Sequence, residues 1–173
     1  MMAQNAEIKA RVNDVDALEI AARRLSGRTP EIIFQDDTFF NVPNGRLKLR
    51  KFRNDAGELI FYDRPDSSGP KISTYSKTDT SEPDILAKTL EMALGIRGRV
   101  QKTRKLYMVD QTRVHIDKVE KLPGFYAELE VCLNEDQTPE DGKVIAEKLM
   151  EQLGIDKADL LTGAYLDLLQ NQD

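Results

Sequence analysis

Polar and apolar residues alternate singly through most of the first 133 positions, the two-residue period of a strand with one buried face. Residues 5–12 place Asn5, Glu7, Lys9 and Arg11 at odd positions and Ala6, Ile8, Ala10 and Val12 at even ones. An extended chain there has one polar and one apolar side. Residues 126–133 sort the same way, with Glu128 and Glu130 opposite Ala127, Leu129, Val131 and Leu133. Arg113, His115 and Asp117 alternate with Val114 and Ile116, and Arg46, Lys48 and Arg50 with Leu47 and Leu49. Further strand-like runs at 33–41, 58–64, 71–78 and 100–109 bring the count to about eight.

Turn-forming residues separate these runs in the manner of hairpins: Pro43-Asn44-Gly45, Asn54-Asp55-Ala56-Gly57, residues 65–70 and Leu122-Pro123-Gly124. Helical spacing predicts a helix over 14–25, capped by Asp14 or Asp16 and stopped by Gly27, and another over 82–94, stopped by Gly95. A third covers 138–153, with Thr138 as N-cap, Pro139 in the first turn, and Val144, Ile145, Leu149 and Leu153 as its apolar stripe. A last short helix is expected over about 157–169. The pattern shows neither an internal repeat nor a low-complexity linker, so residues 1–173 read as a single α+β domain.

An ordinary small barrel or sandwich fills its interior with apolar side chains. Here the helices need apolar strand faces to cover, which leaves the charged faces to line something wet. An antiparallel barrel with a polar lumen satisfies both demands; an open sheet with a solvated charged face is the alternative.

Composition narrows the class. With 40% hydrophobic and 32% charged residues the chain suits a folded soluble protein, and no apolar run approaches the ~18 residues of a membrane span. The N-terminus shows no signal-peptide pattern, so a cytoplasmic location is expected. The lone Cys132 lies in an apolar run and reads as a small buried hydrophobe, which excludes cysteine-based zinc and redox chemistry. The 25 basic and 30 acidic residues give a net charge of −5. From Asn134 onward ten acidic face three basic residues, while residues 1–133 carry 22 basic and 20 acidic. Two bunches, Arg46 to Arg53 and Arg97 to Lys105, are free of acids and make local positive fields.

Glu128 and Glu130, two residues apart on a strand, point the same way and form a pair of hard oxygen donors. Their repulsion calls for a cation, and Mg²⁺ or Mn²⁺ is the natural partner; a solvent-facing glutamate pair is the plainer reading. Lysines and arginines at alternate strand positions would together neutralise a phosphate chain, although each alone is an ordinary surface charge.

The residues resemble the CYTH family, the triphosphate tunnel metalloenzymes that include class IV adenylyl cyclases and thiamine triphosphatases. The likeness runs nearly end to end. It begins with Glu7-Ile8-Lys9, Gln35-Asp36-Asp37-Thr38-Phe39-Phe40, Arg46-Leu47-Lys48-Leu49-Arg50, Tyr62-Asp63-Arg64-Pro65 and Gly69-Pro70-Lys71. It continues through Lys102-Thr103-Arg104-Lys105-Leu106-Tyr107, Arg113-Val114-His115-Ile116-Asp117 and Phe125-Tyr126-Ala127-Glu128-Leu129-Glu130 to Gly163-Ala164-Tyr165. The family's Glu-x-Glu-x-Lys signature is altered: Asn5 replaces its first glutamate, and an amide oxygen ligates without charge.

The resemblance implies an eight-stranded antiparallel tunnel with flanking helices and a divalent metal held by Glu7, Asp117, Glu128 and Glu130. The phosphates would meet Lys9, Lys48, Arg50, Arg64, Lys71, Lys102, Arg104 and Arg113, with Lys9, Arg50, Lys71 and Arg113 acting on the reacting group. Hydrolysis of the terminal phosphate of an inorganic, nucleoside or thiamine triphosphate is the favoured reaction. Cyclisation of ATP to cyclic AMP and pyrophosphate is the alternative, and a non-catalytic polyphosphate or nucleotide binder the third. His115 is either a wall residue or a catalytic one, and Phe39, Phe40 and Tyr62 are either core or stacking surface. Nucleic acid and membrane partners are not expected, because aromatics are only 6% and the cations alternate with apolar residues. The acidic C-terminal helices read as solvated outer faces, with a homodimer contact or a lid as the alternative.

Overall fold

In the computed structural model, which describes residues 3–67 and 69–172, eight strands close into one antiparallel ring. They are β1 (Ala3–Val12), β2 (Glu31–Phe40), β3 (Arg46–Lys51), β4 (Gly57–Asp63), β5 (Lys71–Thr80), β6 (Ile96–Val109), β7 (Thr112–Val119) and β8 (Phe125–Cys132). The order around the ring is β1-β5-β4-β3-β2-β6-β7-β8. Closure removes the open-sheet alternative, since no strand is left with an unpaired edge. The N-terminal strand lies between β5 and β8, where Glu7 stands opposite Lys71 on one side and Glu130 on the other.

The apolar strand faces turn outward and are covered by α1 (Val15–Ser26) and α3 (Pro139–Leu153). Ala6, Ile8, Val114, Ile116, Leu129 and Val131 pack there against Leu18, Ala22, Ala146, Leu149 and Leu153. Of the two capping candidates for α1, Asp14 is the one whose side chain accepts from Ala17 N, and Gly27 ends the helix at φ 67°. Thr138 and Asp141 form a reciprocal capping box on α3. The helix α2 (Pro83–Leu94) links β5 to β6 across the outside of β2 and β3. Among the described residues no helix is long and apolar enough to cross a membrane.

Three sequence expectations change in the folded chain, the first of them on α3: Val144, expected in its apolar stripe, is exposed, and Ala146 and Met150 take buried positions beside Leu149 and Leu153. The helix expected over 157–169 is broken into a 3₁₀ turn, Lys157–Asp159, and α4 (Tyr165–Gln170). The break has a tertiary cause: Leu160 bridges to Ala10, and Leu161 N–H donates to the Lys9 carbonyl at 2.9 Å. Those backbone groups extend the end of β1 instead of continuing a helix. Cys132 is half-buried on the strand face shared by Glu128 and Glu130, not in the outer apolar layer. Its neighbour Val131 takes the buried position, because alternation persists even where both residues are apolar. Met1, Met2, Ser68 of the expected 65–70 turn and Asp173 lie outside the described residues.

Beyond α4, a second apolar cluster closes one end of the ring. Phe39, Val100, Val119, Leu122 and Tyr126 meet Tyr165 and Leu166, with the Tyr126 and Tyr165 rings edge-on at 5.4 Å. The lumen is therefore stoppered at this end by the C-terminal segment.

Gly142 sets how closely α3 approaches the barrel. A Cβ there would lie 2.5 Å from Leu133 Cδ2 and 2.9 Å from Ala6 Cβ. Gly142→Ala improves helix propensity by roughly 1 kcal/mol, yet overpacking of this contact should outweigh it, at a cost of about 1–3 kcal/mol. Urea unfolding should show net destabilisation; a variant as stable as the parent would contradict the close approach.

Candidate active site

Strand parity delivers the charged side chains to the lumen, and the backbone ring holds them there. A cavity of about 340 Å³ is lined by Glu7, Lys9, Lys48, Arg50, Arg64, Lys102, Arg104, Arg113, Glu128 and Glu130, all singled out from the sequence. The two remaining candidates stand outside its lining. Lys71 is 2% exposed and donates to the Thr162 carbonyl at 2.8 Å, which ties β5 to the C-terminal segment. Asp117 is fully buried and held by Arg104 in a forked pair, Nε–Oδ1 and Nη2–Oδ2 both 2.7 Å. Its Oδ2 also accepts from the Tyr165 hydroxyl at 2.6 Å.

One wall is a cationic nest around Asp37, which is 1% exposed. Arg50 binds this carboxylate through Nε and Nη2 at 2.8 Å each, Lys48 Nζ lies 3.2 Å away and Lys102 Nζ 3.8 Å. Burial opposes ionisation of Asp37, but the three cations hold its carboxyl well below the ordinary range. Lys48 and Lys102 are pushed down by burial first and then by the neighbouring guanidinium groups of Arg50 and Arg104. Three cations on one carboxylate leave the nest with excess positive charge in a dry setting, and a multiply charged anion is its complement.

The facing wall, on β1, β7 and β8, is acidic. Register places His115 opposite Glu128, and Arg113 opposite Glu130. Glu128 is paired with Arg104 and, at 3.4 Å, with Lys9, while Arg64 Nη1 reaches Glu7 Oε2 at 3.0 Å. Glu130 has His115 as its neighbour, with Nδ1 3.7 Å from Oε1. One ligating atom each from His115, Glu128 and Glu130 lie within 4.8 Å of one another. Buried Nδ1 of His115 and Oδ1 of Asn5 have no hydrogen-bond partner among the described residues. These orphaned atoms and crowded carboxylates fit a divalent cation.

Electrostatics on this wall follow from burial. Glu7 is raised to about 7, first by burial and then by Glu130, against the pull of Arg64. His115 is pushed down to about 4 by burial and then by Arg104, so it is neutral at neutral pH. Lys71 is lowered to about 8 by burial, with Arg64 and Lys9 adding to it.

Asp37 and Tyr165 belong to this assembly, although the sequence pattern assigns neither a role. Asp37 shares strand parity with Gln35 and Phe39, which also line the cavity, and that parity was its available signal. The Tyr165 ring lies 3.9 Å from Lys9 Nζ, brought there by the C-terminal segment. Phe39 and Tyr62 line the cavity beside Lys48, whereas Phe40 turns to the outside layer.

Comparison with known proteins agrees with this geometry. The CYTH domain model matches residues 3–165. Adenylate cyclase CyaB of Aeromonas hydrophila is 26% identical over 176 residues, which cover 95% of this chain and 87% of that protein. A protein structure from Pyrococcus horikoshii superposes with a TM-score of 0.82 at 22% identity, covering 95% of this chain and 98% of that one. One from Pyrococcus furiosus gives 0.81 at 18% identity, covering 95% and 99%. These two structures establish the fold.

The raised Glu7 pKa makes stability depend on pH. A carboxyl that binds its proton more tightly when folded contributes stability below its ordinary value of 4.5 and loses it as pH rises through about 7. Neutral buried His115 acts oppositely, contributing above 6.5 and losing stability as pH falls through about 4. The difference in melting temperature between metal-free parent and Glu7→Gln isolates the first effect. It should shift against the parent between about pH 5 and pH 7.5; a difference constant with pH would contradict the assigned environment.

Proposed function

The chain belongs to the CYTH domain family, and from that premise we propose that its lumen is the active site of a divalent-cation-dependent enzyme acting on a triphosphate, with hydrolysis of the terminal phosphate as its reaction. The observation that carries this reading is the nest of Arg50, Lys48 and Lys102 sharing one buried carboxylate. Such an excess of oriented cations suits a polyanion and little else.

The phosphate chain lies along the lumen between the two walls. Arg50 grips phosphate oxygens in a forked geometry, while Lys48 and Lys102 act as point charges. Arg113 lines the cavity beside Glu130 and, among the described residues, has no ion-pair partner, which leaves its guanidinium for the substrate. Lys9 and Arg64, paired with Glu128 and Glu7, order those carboxylates and add positive charge near the reacting phosphoryl group. Glu7, Glu128 and Glu130 would hold a Mg²⁺ or Mn²⁺ ion, whose chemistry is to withdraw charge from phosphate oxygens. Asp117 fixes Arg104 and Tyr165, and Lys71 fixes the C-terminal segment, so both act by positioning. Stabilisation of the loose phosphoryl transition state is then chiefly electrostatic.

Cyclisation of ATP is the second reading, favoured by the likeness to a protein named as an adenylate cyclase. In that case a ribose hydroxyl, not water, attacks, and at the α-phosphorus.

Phosphorus NMR with Mg²⁺ or Mn²⁺ separates the readings when ATP, inorganic triphosphate and thiamine triphosphate are supplied in turn. Orthophosphate is the expected product, and it should vanish with a chelator. Pyrophosphate together with cyclic AMP would establish the cyclase instead, and no metal-dependent product would leave a binding protein. Glu130→Gln should lower turnover by roughly 100-fold or more while phosphate binding partly survives; unchanged turnover would remove Glu130 from the site.

A further inference from the structure

We propose that His115 is a nitrogen ligand of the divalent cation, so that this lumen selects Mn²⁺ and the later divalent transition metals over Mg²⁺. The inference rests on the reading of the lumen as a metal site and concerns which cation that site prefers. The carboxylates around His115 are unequal. Asp117 is consumed by Arg104 and Tyr165, Glu128 is paired with Lys9 and Arg104, and Glu7 with Arg64. Glu130 has only His115 within ion-pair reach among the described residues.

Between those two groups the structure leaves an unmet demand. Nδ1 of His115 is buried without a hydrogen-bond partner among the described residues, and at 3.7 Å from Glu130 Oε1 it is too far to make that bond. Two ligands on one cation, each bonded at about 2.1 Å, stand about 3–4 Å apart. One ion would therefore satisfy both atoms, with Glu128 within reach of the same cluster.

Charge and softness then decide the metal. The chain has Asn5 on the lumen face two residues before Glu7, where a second β1 carboxylate would otherwise add negative charge. Its buried Oδ1 has no partner among the described residues and offers only a neutral oxygen. Mg²⁺ dehydrates reluctantly and depends on charged oxygen donors, so this exchange weakens its hold. An imidazole donor instead favours the divalent transition metals, whose affinity for such sites rises from Mn²⁺ through the later members, over Mg²⁺, which takes oxygen.

Electron paramagnetic resonance of the full chain titrated with Mn²⁺ tests the assignment directly. Bound Mn²⁺ should show electron-spin-echo modulation from an imidazole nitrogen, and the modulation should change when histidine is labelled with heavy nitrogen. Competition should require Mg²⁺ in at least about tenfold excess over Mn²⁺. His115→Gln, once thermal unfolding shows it folded, should abolish the nitrogen modulation and lower the preference for Mn²⁺ about tenfold or more. Bound Mn²⁺ without nitrogen modulation in the labelled parent, or an unchanged preference in the folded variant, would overturn the role of His115 and leave the metal-dependent enzyme standing. Failure of Mn²⁺ to bind at all would overturn both.

Discussion

A ring of strands that turns its charged faces inward must satisfy every buried charge at once, and this constraint organises the molecule. Taking an ion out of water costs several kcal/mol after relaxation, so each lumen side chain needs a partner within reach. Asp37 is held by Arg50, Lys48 and Lys102, Asp117 by Arg104 and Tyr165, Glu7 by Arg64, and Glu128 by Lys9 and Arg104. Pairing of this kind orients the side chains before any ligand arrives and holds Asp37, Asp117 and Glu128 below the ordinary carboxylate range. Among the described residues it remains incomplete on the cationic side, with the surplus over Asp37 and the unpaired Arg113, and on the acidic side, with His115 Nδ1 unbonded beside Glu130. The first calls for a polyanion and the second for a cation, and a metal-bound triphosphate supplies both.

The outer layer makes that interior possible. With α1 and α3 burying the apolar faces of β1, β6, β7 and β8, the larger hydrophobic cluster lies outside the ring, and the smaller one stoppers its end. The rest of the lumen is thereby left to charged and polar side chains. The C-terminal segment belongs to both layers: Leu166 packs against Phe39 and Val100, while Tyr165 reaches Asp117 and Lys9. A loop carbonyl of the same segment takes the Lys71 ammonium. Loss of this stopper would expose the Arg104–Asp117 pair to water and weaken the alignment of Arg104 on Glu128.

Much of this was legible in the residues because strand parity is a local property. The odd positions of β1 and the spacing of Glu128 and Glu130 determine which side chains share a face, and seven of the ten lumen-lining candidates follow from that rule, while Arg64, Lys102 and Arg104 come with the family resemblance. What parity cannot supply is position along and across the ring. Asp117 has the right parity but meets Tyr165, 48 residues further on, and is sealed from the cavity. Lys71 lies at the stoppered end, where Thr162 claims its ammonium. Asp37 stood in a recognisable motif, yet its place at the centre of three cations depends on β2 lying between β3 and β6, a matter of ring order. The break between 157 and 169 is of the same kind, since β1 competes for the backbone of Leu160 and Leu161.

The account stands on the claim that the surplus cations of the lumen are a polyphosphate site. Isothermal titration of the full chain with a non-hydrolysable imido analogue of inorganic triphosphate, in the presence and absence of Mn²⁺, measures this without depending on turnover. One analogue should bind per chain, tighter with Mn²⁺, and Arg50→Ala should weaken it sharply. Absence of binding in either condition, or binding indifferent to both Mn²⁺ and Arg50, would contradict the account.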